Sequence, residues 1–439
     1  MTRRLARFAV SADGAAIPAE MIGHAKVAFM DWVGVTYGGK DDPLVDRLIA
    51  YSRIMGGNED ATVLGRDMKT SMEHAALING AASHALDYDD TLVSFLGHPS
   101  VTLFPALLAL AEKEGKSGRA MLEAYLVGLQ VGGTTGASAG LDHYLAGWHA
   151  TSTLGHLAAS AACAKLLGLN EQGMINAIGI GATQAGGLKR VFGTMCKPFH
   201  AGRAAMSGLM AALLAREGFT SAEDIIEGPQ GFFEVLKGKV NEDILGFLGL
   251  GWDVVNLSQK YHASCHATHS PLEAARAAVA QAGITVDDIR EIRVRSSEMA
   301  LGAAYREDAK NGLEGKFCIP YCVANALLNE ITGNQAFTDE RVNDPAVQAL
   351  MKKVVRIKDE SLTGLEARVE VEAADGAVTE AFSDILQQIP DLEAKKERVG
   401  AKFIDLCEPV LGSETTRRKK AEIEALDTIA DMADFTRGM

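Results

Sequence analysis

LEARVEVEAADGAVTEAF, residues 365–382, alternates apolar and polar side chains on both sides of an Asp-Gly pair. Such alternation around a DG turn predicts a β-hairpin with one buried face. IREIRVRSS, residues 289–297, alternates in the same way. Between these runs, FCIPYCVANALLNE (317–330) and DPAVQALMKKVVRI (344–357) have helical spacing. The region is therefore read as a small α+β unit, with the change of texture near residue 285.

Outside it the pattern is helical. AEMIGHAKVAFMDWV (19–33), SMEHAALINGAASHAL (71–86), VTLFPALLALAEKEGK (101–116), RAMLEAYLVGLQVGG (119–133) and LGHLAASAACAKLLGL (154–169) carry apolar residues three and four apart. Ala and Gly on more than one face predict helices buried among helices with close backbone approach. TSAE, 220–223, reads as a capping box opening a short helix. After about residue 395 the chain returns to helix, and KKAEIEALDTIADMADF (419–435) is expected to dock on the first helical region. The fold class is thus mainly α, with a smaller α+β domain inserted into an all-helical one.

A chain of 439 residues exceeds one ordinary core. Its 43 Lys and Arg face 57 Asp and Glu, and a net charge of −14 argues against general nucleic-acid binding. No apolar run has the length of a membrane span. Six cysteines without a CxxC pair fit reduced thiols, so a cytoplasmic protein without a membrane partner is expected.

Two nucleotide-type motifs and one nucleophile motif fail. IGIGATQAGG (178–187) has Gln184 where a dinucleotide loop needs its third Gly, and a helical segment precedes it. Gly115-Lys116-Ser117 lacks the opening Gly of a phosphate loop, and no G-x-S-x-G occurs.

HALDYDDTLVSFLGHPS, 84–100, has the parts for acid–base chemistry. Residues 87–98 are expected to form a loop, since a helix runs out near Asp87 and Pro99 opens the next. A half-buried carboxylate there, Asp87 in the first instance, would orient His98 or Thr91 by hydrogen bonding. Asp89 and Asp90 are expected to shape the loop or face solvent.

Cations gather at two predicted helix starts. MCKPFHAGR (195–203) places Lys197 before Pro198, with His200 and Arg203 a turn apart. KYHASCHATHSPLEAA (260–275) places Lys260, His262, His266 and His269 before a helix read as capped by Ser270. Helix N-termini dressed with Lys and His suit a polyanion, carboxylate or phosphate. GWHATS adds His149 just before another helix. His24, His74 and His156 read as core histidines. Cys265 and His269 are spaced C-x3-H, but without a second ligand pair no metal site is expected.

These segments together resemble the MmgE/PrpD family, across nearly the whole chain and in order. The blocks are HALDYDDT with HPS and PALLALAE, GWHATSTLGHLAA with AKLLGL, KPFHAGRAAMSGLMAALLAREGFT, KYHASCHATHSPLEAA, and KFCIPYCVANAL. The resemblance implies a helical domain made from both chain ends (1–257 and 397–439), an α+β lid domain (258–396), and a homodimer. It implies a small di- or tricarboxylate substrate and no metal or organic cofactor. It carries the family's active-site positions onto Asp87, Thr91, His98, His149, Lys197, Lys260 and Tyr321, with His269 in the fourth block.

The roles expected on this basis are proton transfer by His98 and carboxylate binding by Lys197 and Lys260. His149 would bind or polarise a carboxylate, and Tyr321 would donate a proton to the opposite face, receive one from it, or protonate a departing hydroxyl. His200, His269 and Cys265 are counted with the substrate-binding residues. The first block is shorter and more apolar than in the family's 2-methylcitrate dehydratases. Cys265 stands where its decarboxylases carry His, and Cys318 where the fifth block commonly has Ser. A hydro-lyase acting alpha to a carboxylate is the expected activity. An iminodisuccinate epimerase-like isomerase and a cis-aconitate decarboxylase-like lyase are the family alternatives. A metal-dependent hydrolase using His84, Asp87, Asp89 and His98 is the alternative outside the family.

Overall fold

The computed structural model describes residues 1–329, 332–387 and 391–439. The chain is mainly α, and it divides into two compact units. One comprises residues 1–85, 89–259 and 391–439; the other comprises 86–88 and 260–390.

The first unit contains α1 (Ala19–Gly39), α2 (Met72–Ala85), α3 (Ser100–Glu114), α4 (Gly118–Leu145), α5 (Ala150–Leu167), α6 (Glu171–Ala182) and α7 (Cys196–Arg216). The helix Leu392–Leu411 packs on α1, so the C-terminal segment does return to this unit. α2, α5 and α7 are apolar around most of their circumference, as buried helices must be. Where α2 crosses α7, a Cβ on Gly80 would fall 2.7 Å from the Gly202 Cα, and one on Gly202 only 2.1 Å from the Leu77 carbonyl oxygen. Only glycine permits this approach, which brings the ends of α2 and α7 to one place.

Several local expectations change. Residues 220–223 open no helix: Glu223 pairs with Arg3, and the Ser221 amide donates to Asn176, so the box loses its partners. α7 begins at Cys196, one residue before Lys197. Residues 419–435 form two helices separated by a 3-10 turn, rather than one.

In the second unit, α8 (His269–Ala282) and α9 (Ile319–Asn329) pack on a four-stranded sheet. Its strands are β1 (Ile289–Ser296), β2 (Val354–Lys358), β3 (Ala367–Ala373) and β4 (Val378–Ser383), in the order β2-β1-β3-β4. β3 and β4 form the hairpin read from the sequence, with Gly376 at φ +88° in its turn. Along β3 the residues Ala367, Val369, Val371 and Ala373 are buried, and the intervening Arg368, Glu370 and Glu372 are not. Only the first half of DPAVQALMKKVVRI is helix (Pro345–Met351). VVRI instead pairs in parallel with β1, Val355 opposite Arg293, because β-branched residues fit a pleated surface. α8 starts at His269 after a 3-10 turn, so Ser270 lies inside it and its hydroxyl accepts from the Ile385 amide.

Candidate active site

α2 ends one residue after His84, and the chain forms a loop before Pro99 and α3. Thr91 exchanges backbone hydrogen bonds with Ser258, 2.8 Å and 2.9 Å, and Leu92 bridges Gly97. The apolar insert LVSFLG is an anchor. Phe95 is fully buried against α4 at Gly132, where a Cβ would lie 2.3 Å from the ring, and Ser94 donates to Asp253 at 3.0 Å. Burying a phenylalanine contributes about 1.5–3 kcal/mol, enough to offset the left-handed backbone of Leu96 at φ +54°.

The anchored loop turns its acids inward. Asp89 and Asp90 are each only 1% exposed, which corrects the expectation that they face solvent. Both Asp89 oxygens lie 2.9 Å from His84 Nδ1, and Oδ2 lies 2.9 Å from His98 Nδ1. Asp89 thus stands at His98 Nδ1, while Thr151 Oγ1 accepts the His98 amide at 3.1 Å. Burial pushes the Asp89 carboxyl up, but the imidazoles of His84 and His98 outweigh it and hold the group well below the usual range. A carboxylate facing two Nδ1 atoms keeps their protons on that side and makes Nε2 the basic position of each ring.

Asp90 has the opposite environment. Burial, with Asp31 next, drives it well above the usual carboxylate range, and Ser100 donates to it. Ser100 in turn meets the Tyr125 hydroxyl at 2.9 Å, and Asp31 is paired with Lys402 at 2.7 Å. Two adjacent aspartates are therefore shifted in opposite directions.

His149 caps α5 and Lys197 lies in the first turn of α7, 3% and 5% exposed respectively. His149 Nδ1 is 3.0 Å from His200 Nδ1, and its ring stacks 6.1 Å from that of His84. Lys197 lies over the Phe192 ring at 5.5 Å, and the same ring is edge-on to His149 at 4.9 Å. Burial, then Lys197, pushes His149 well down; burial, then His84 and Lys197, lowers His200 to about 4. Both rings are neutral near pH 7, and one must donate to the other. Two imidazoles thus face the Asp89 carboxylate, and His149, His200 and Lys197 continue the cluster by way of His84 and Phe192.

The residues expected in the other unit are engaged differently. Lys260 is fully buried and donates at 2.9 Å to both the carbonyl and the carboxylate of Asp87, whose φ is +50°. Lys316 donates to the carbonyls of Leu86 and Ala263. His269 stands 4.7 Å from the rings of His262 and His266, and His262 pairs with Glu273 at 2.8 Å. Burial, then His262, pushes His269 well down. The Cys265 amide donates to the Lys316 carbonyl at 2.8 Å. The Tyr321 hydroxyl donates to the Ala336 carbonyl, and burial raises its pKa above that of an ordinary phenol.

His84 and Asp89, which the expected catalytic set leaves out, stand in one cluster with His98. The signal was present: acids among Ala, Leu and Phe are buried only when paired, and the nearest partners in sequence are the histidines on either side. A separate cavity of about 750 Å³ in the same unit is lined by Arg53, Arg66, Lys69 and Arg437. Its Arg66 and Lys69 are already paired with Asp46 and Glu112.

A helical unit carrying a buried carboxylate between imidazoles defines a protein equipped for acid–base chemistry. The MmgE/PrpD N-terminal domain matches residues 3–244 and the MmgE/PrpD C-terminal domain matches residues 262–428. The chain belongs to the MmgE/PrpD family. It is 28% identical to the cis-aconitate decarboxylase-like protein oryM of Aspergillus oryzae, covering 99% of this chain and 96% of that protein. It is 27% identical to the cis-aconitate decarboxylase of Aspergillus terreus, covering 95% and 91%. Identity to the 2-methylcitrate dehydratase of Salmonella typhimurium is also 27%, over 74% and 70%. Among the described residues no helix is long and apolar enough to cross a membrane.

Proposed function

We propose that this chain is a lyase acting alpha to a carboxylate on a small di- or tricarboxylate, with His98 as the proton-transfer group. The observation that carries this reading is the Asp89 carboxylate set 2.9 Å from the Nδ1 atoms of both His84 and His98. Asp89 fixes the His98 tautomer and stabilises the imidazolium that forms when Nε2 takes a proton. Lys197, with His149 and His200, receives a substrate carboxylate, and the charge developing on its oxygens is met by these donors.

Dehydration and decarboxylation share this machinery. In the first, His98 removes the Cα proton and hydroxide leaves from the neighbouring carbon with a proton. In the second, a C–C bond breaks, CO₂ departs, and the electron pair left on carbon is protonated by the imidazolium. Decarboxylation is favoured here over the hydro-lyase expected from the sequence, because resemblance to decarboxylases spans 95% or more of the chain. Dehydration is the second reading, supported by the shorter match to the dehydratase.

The test is ¹H NMR in D₂O with cis-aconitate, 2-methylcitrate and an aspartate-like acid. The proposal expects a product lacking CO₂, with one deuterium on carbon, from the first. Loss of water from 2-methylcitrate would move the assignment to dehydration. Exchange at Cα without loss of either group would indicate an isomerase and overturn the lyase reading.

A further inference from the structure

His98 and the two side chains grouped with it have the donor set of a metal site. His84, Asp89 and His98 each present one ligand atom, and these atoms lie within 4.8 Å of one another. Two imidazole nitrogens and one carboxylate oxygen are a ligand set that zinc accepts with solvent in a fourth position. Zinc needs each donor about 2.0–2.2 Å away. The 2.9 Å separations between Asp89 and the two Nδ1 atoms permit this with a small outward movement. The two neighbouring rings, His149 and His200, are neutral, so the charge opposing a cation comes chiefly from Lys197.

We infer that Zn²⁺ binds this triad and switches the enzyme off. The inference rests on the proposed acid–base role for its inhibitory part, while the binding part stands alone. The ion occupies the place between Asp89 and the two rings, and each ring proton moves from Nδ1 to Nε2. His98 then presents the Nε2–H of a neutral, metal-bound ring, so it can neither take a proton there nor become the imidazolium that protonates carbon. Asp89, turned to the metal, no longer stabilises an imidazolium. Zinc is thus a reversible inhibitor that competes with the active tautomer, not a cofactor.

Equilibrium dialysis of chelator-treated full-length protein against ZnCl₂ tests the binding directly. One zinc per chain is expected, weakened at least about tenfold in Asp89→Asn and in His98→Gln. Far-UV circular dichroism and thermal melting identify any variant that has not folded, and the second variant then carries the comparison. Turnover of the wild type should fall in proportion to bound zinc and return on adding EDTA. Absence of saturable binding overturns the site. So does zinc retained by both variants but lost in His269→Gln, which would move it to the other unit. Stoichiometric binding by the triad without loss of turnover overturns the switch. A wild type without turnover on any polycarboxylate would count against the proposed function, and the dialysis result would be unaffected.

Discussion

The molecule has two clusters of basic side chains, one in each unit, and they differ in what holds them. In the first unit a carboxylate sits between imidazoles, and His149 and His200 are kept neutral by burial. In the second unit Lys260 and Lys316 donate to backbone carbonyls, and Lys260 also to Asp87. The first arrangement sets ring nitrogens against a carboxylate, with which a proton can be shared. The second consists of charges whose removal leaves buried acceptors unsatisfied. The difference agrees with the proposal of proton transfer in the imidazole cluster, although the sequence presents both clusters as Lys and His near helix starts.

Four perturbations break or sharpen this contrast. His98→Gln should lower turnover about 10²–10⁴-fold with an unchanged circular dichroism spectrum. An active variant would remove the first cluster from the mechanism. Lys260→Met should instead appear in thermal melting, because an uncompensated buried Asp87 costs about 3–5 kcal/mol. A stable Lys260→Met protein without turnover would give the second cluster a catalytic role.

The pH dependence of stability reports on the buried histidines. His200 and His156 are lowered to about 4 from an ordinary 6.5, each by burial first. The unfolded chain therefore binds more protons between those values. Stability from these groups is complete above pH 6.5 and is lost as pH falls toward 4. His200→Gln should flatten the melting temperature over that window, and an unchanged slope would contradict a neutral His200. Asp89 acts in the same direction at lower pH, because its folded pKa lies below its unfolded one. The smallest effect is expected for Tyr321→Phe, which leaves the Ala336 carbonyl without its donor. A stability loss of about 1–2 kcal/mol by denaturant titration, with turnover within a few fold, fits this contact.

Much of the fold was legible because periodicity survives burial. The helices at 19–33, 71–86 and 101–116, and the hairpin around Asp375-Gly376, stand where spacing predicts them. Failures came where a tertiary partner outweighed a local pattern. Glu223 goes to Arg3 instead of a cap, and the second half of 344–357 adds a strand to β1. The site was legible in residue type but not in pairing. Three aspartates within four positions look alike in sequence. The loop backbone, with Asp87 at φ +50° and Phe95 anchored in α4, decides that Asp87 meets Lys260 while Asp89 meets the histidines.

The central claim is that Asp89 makes His98 the proton-transfer group. Its most direct test is the turnover of Asp89→Asn against the wild type, followed by NMR on whichever polycarboxylate the wild type converts. The account predicts a folded protein slowed by about 10²–10⁴-fold. An Asp89→Asn protein that folds and turns over at the wild-type rate would contradict it.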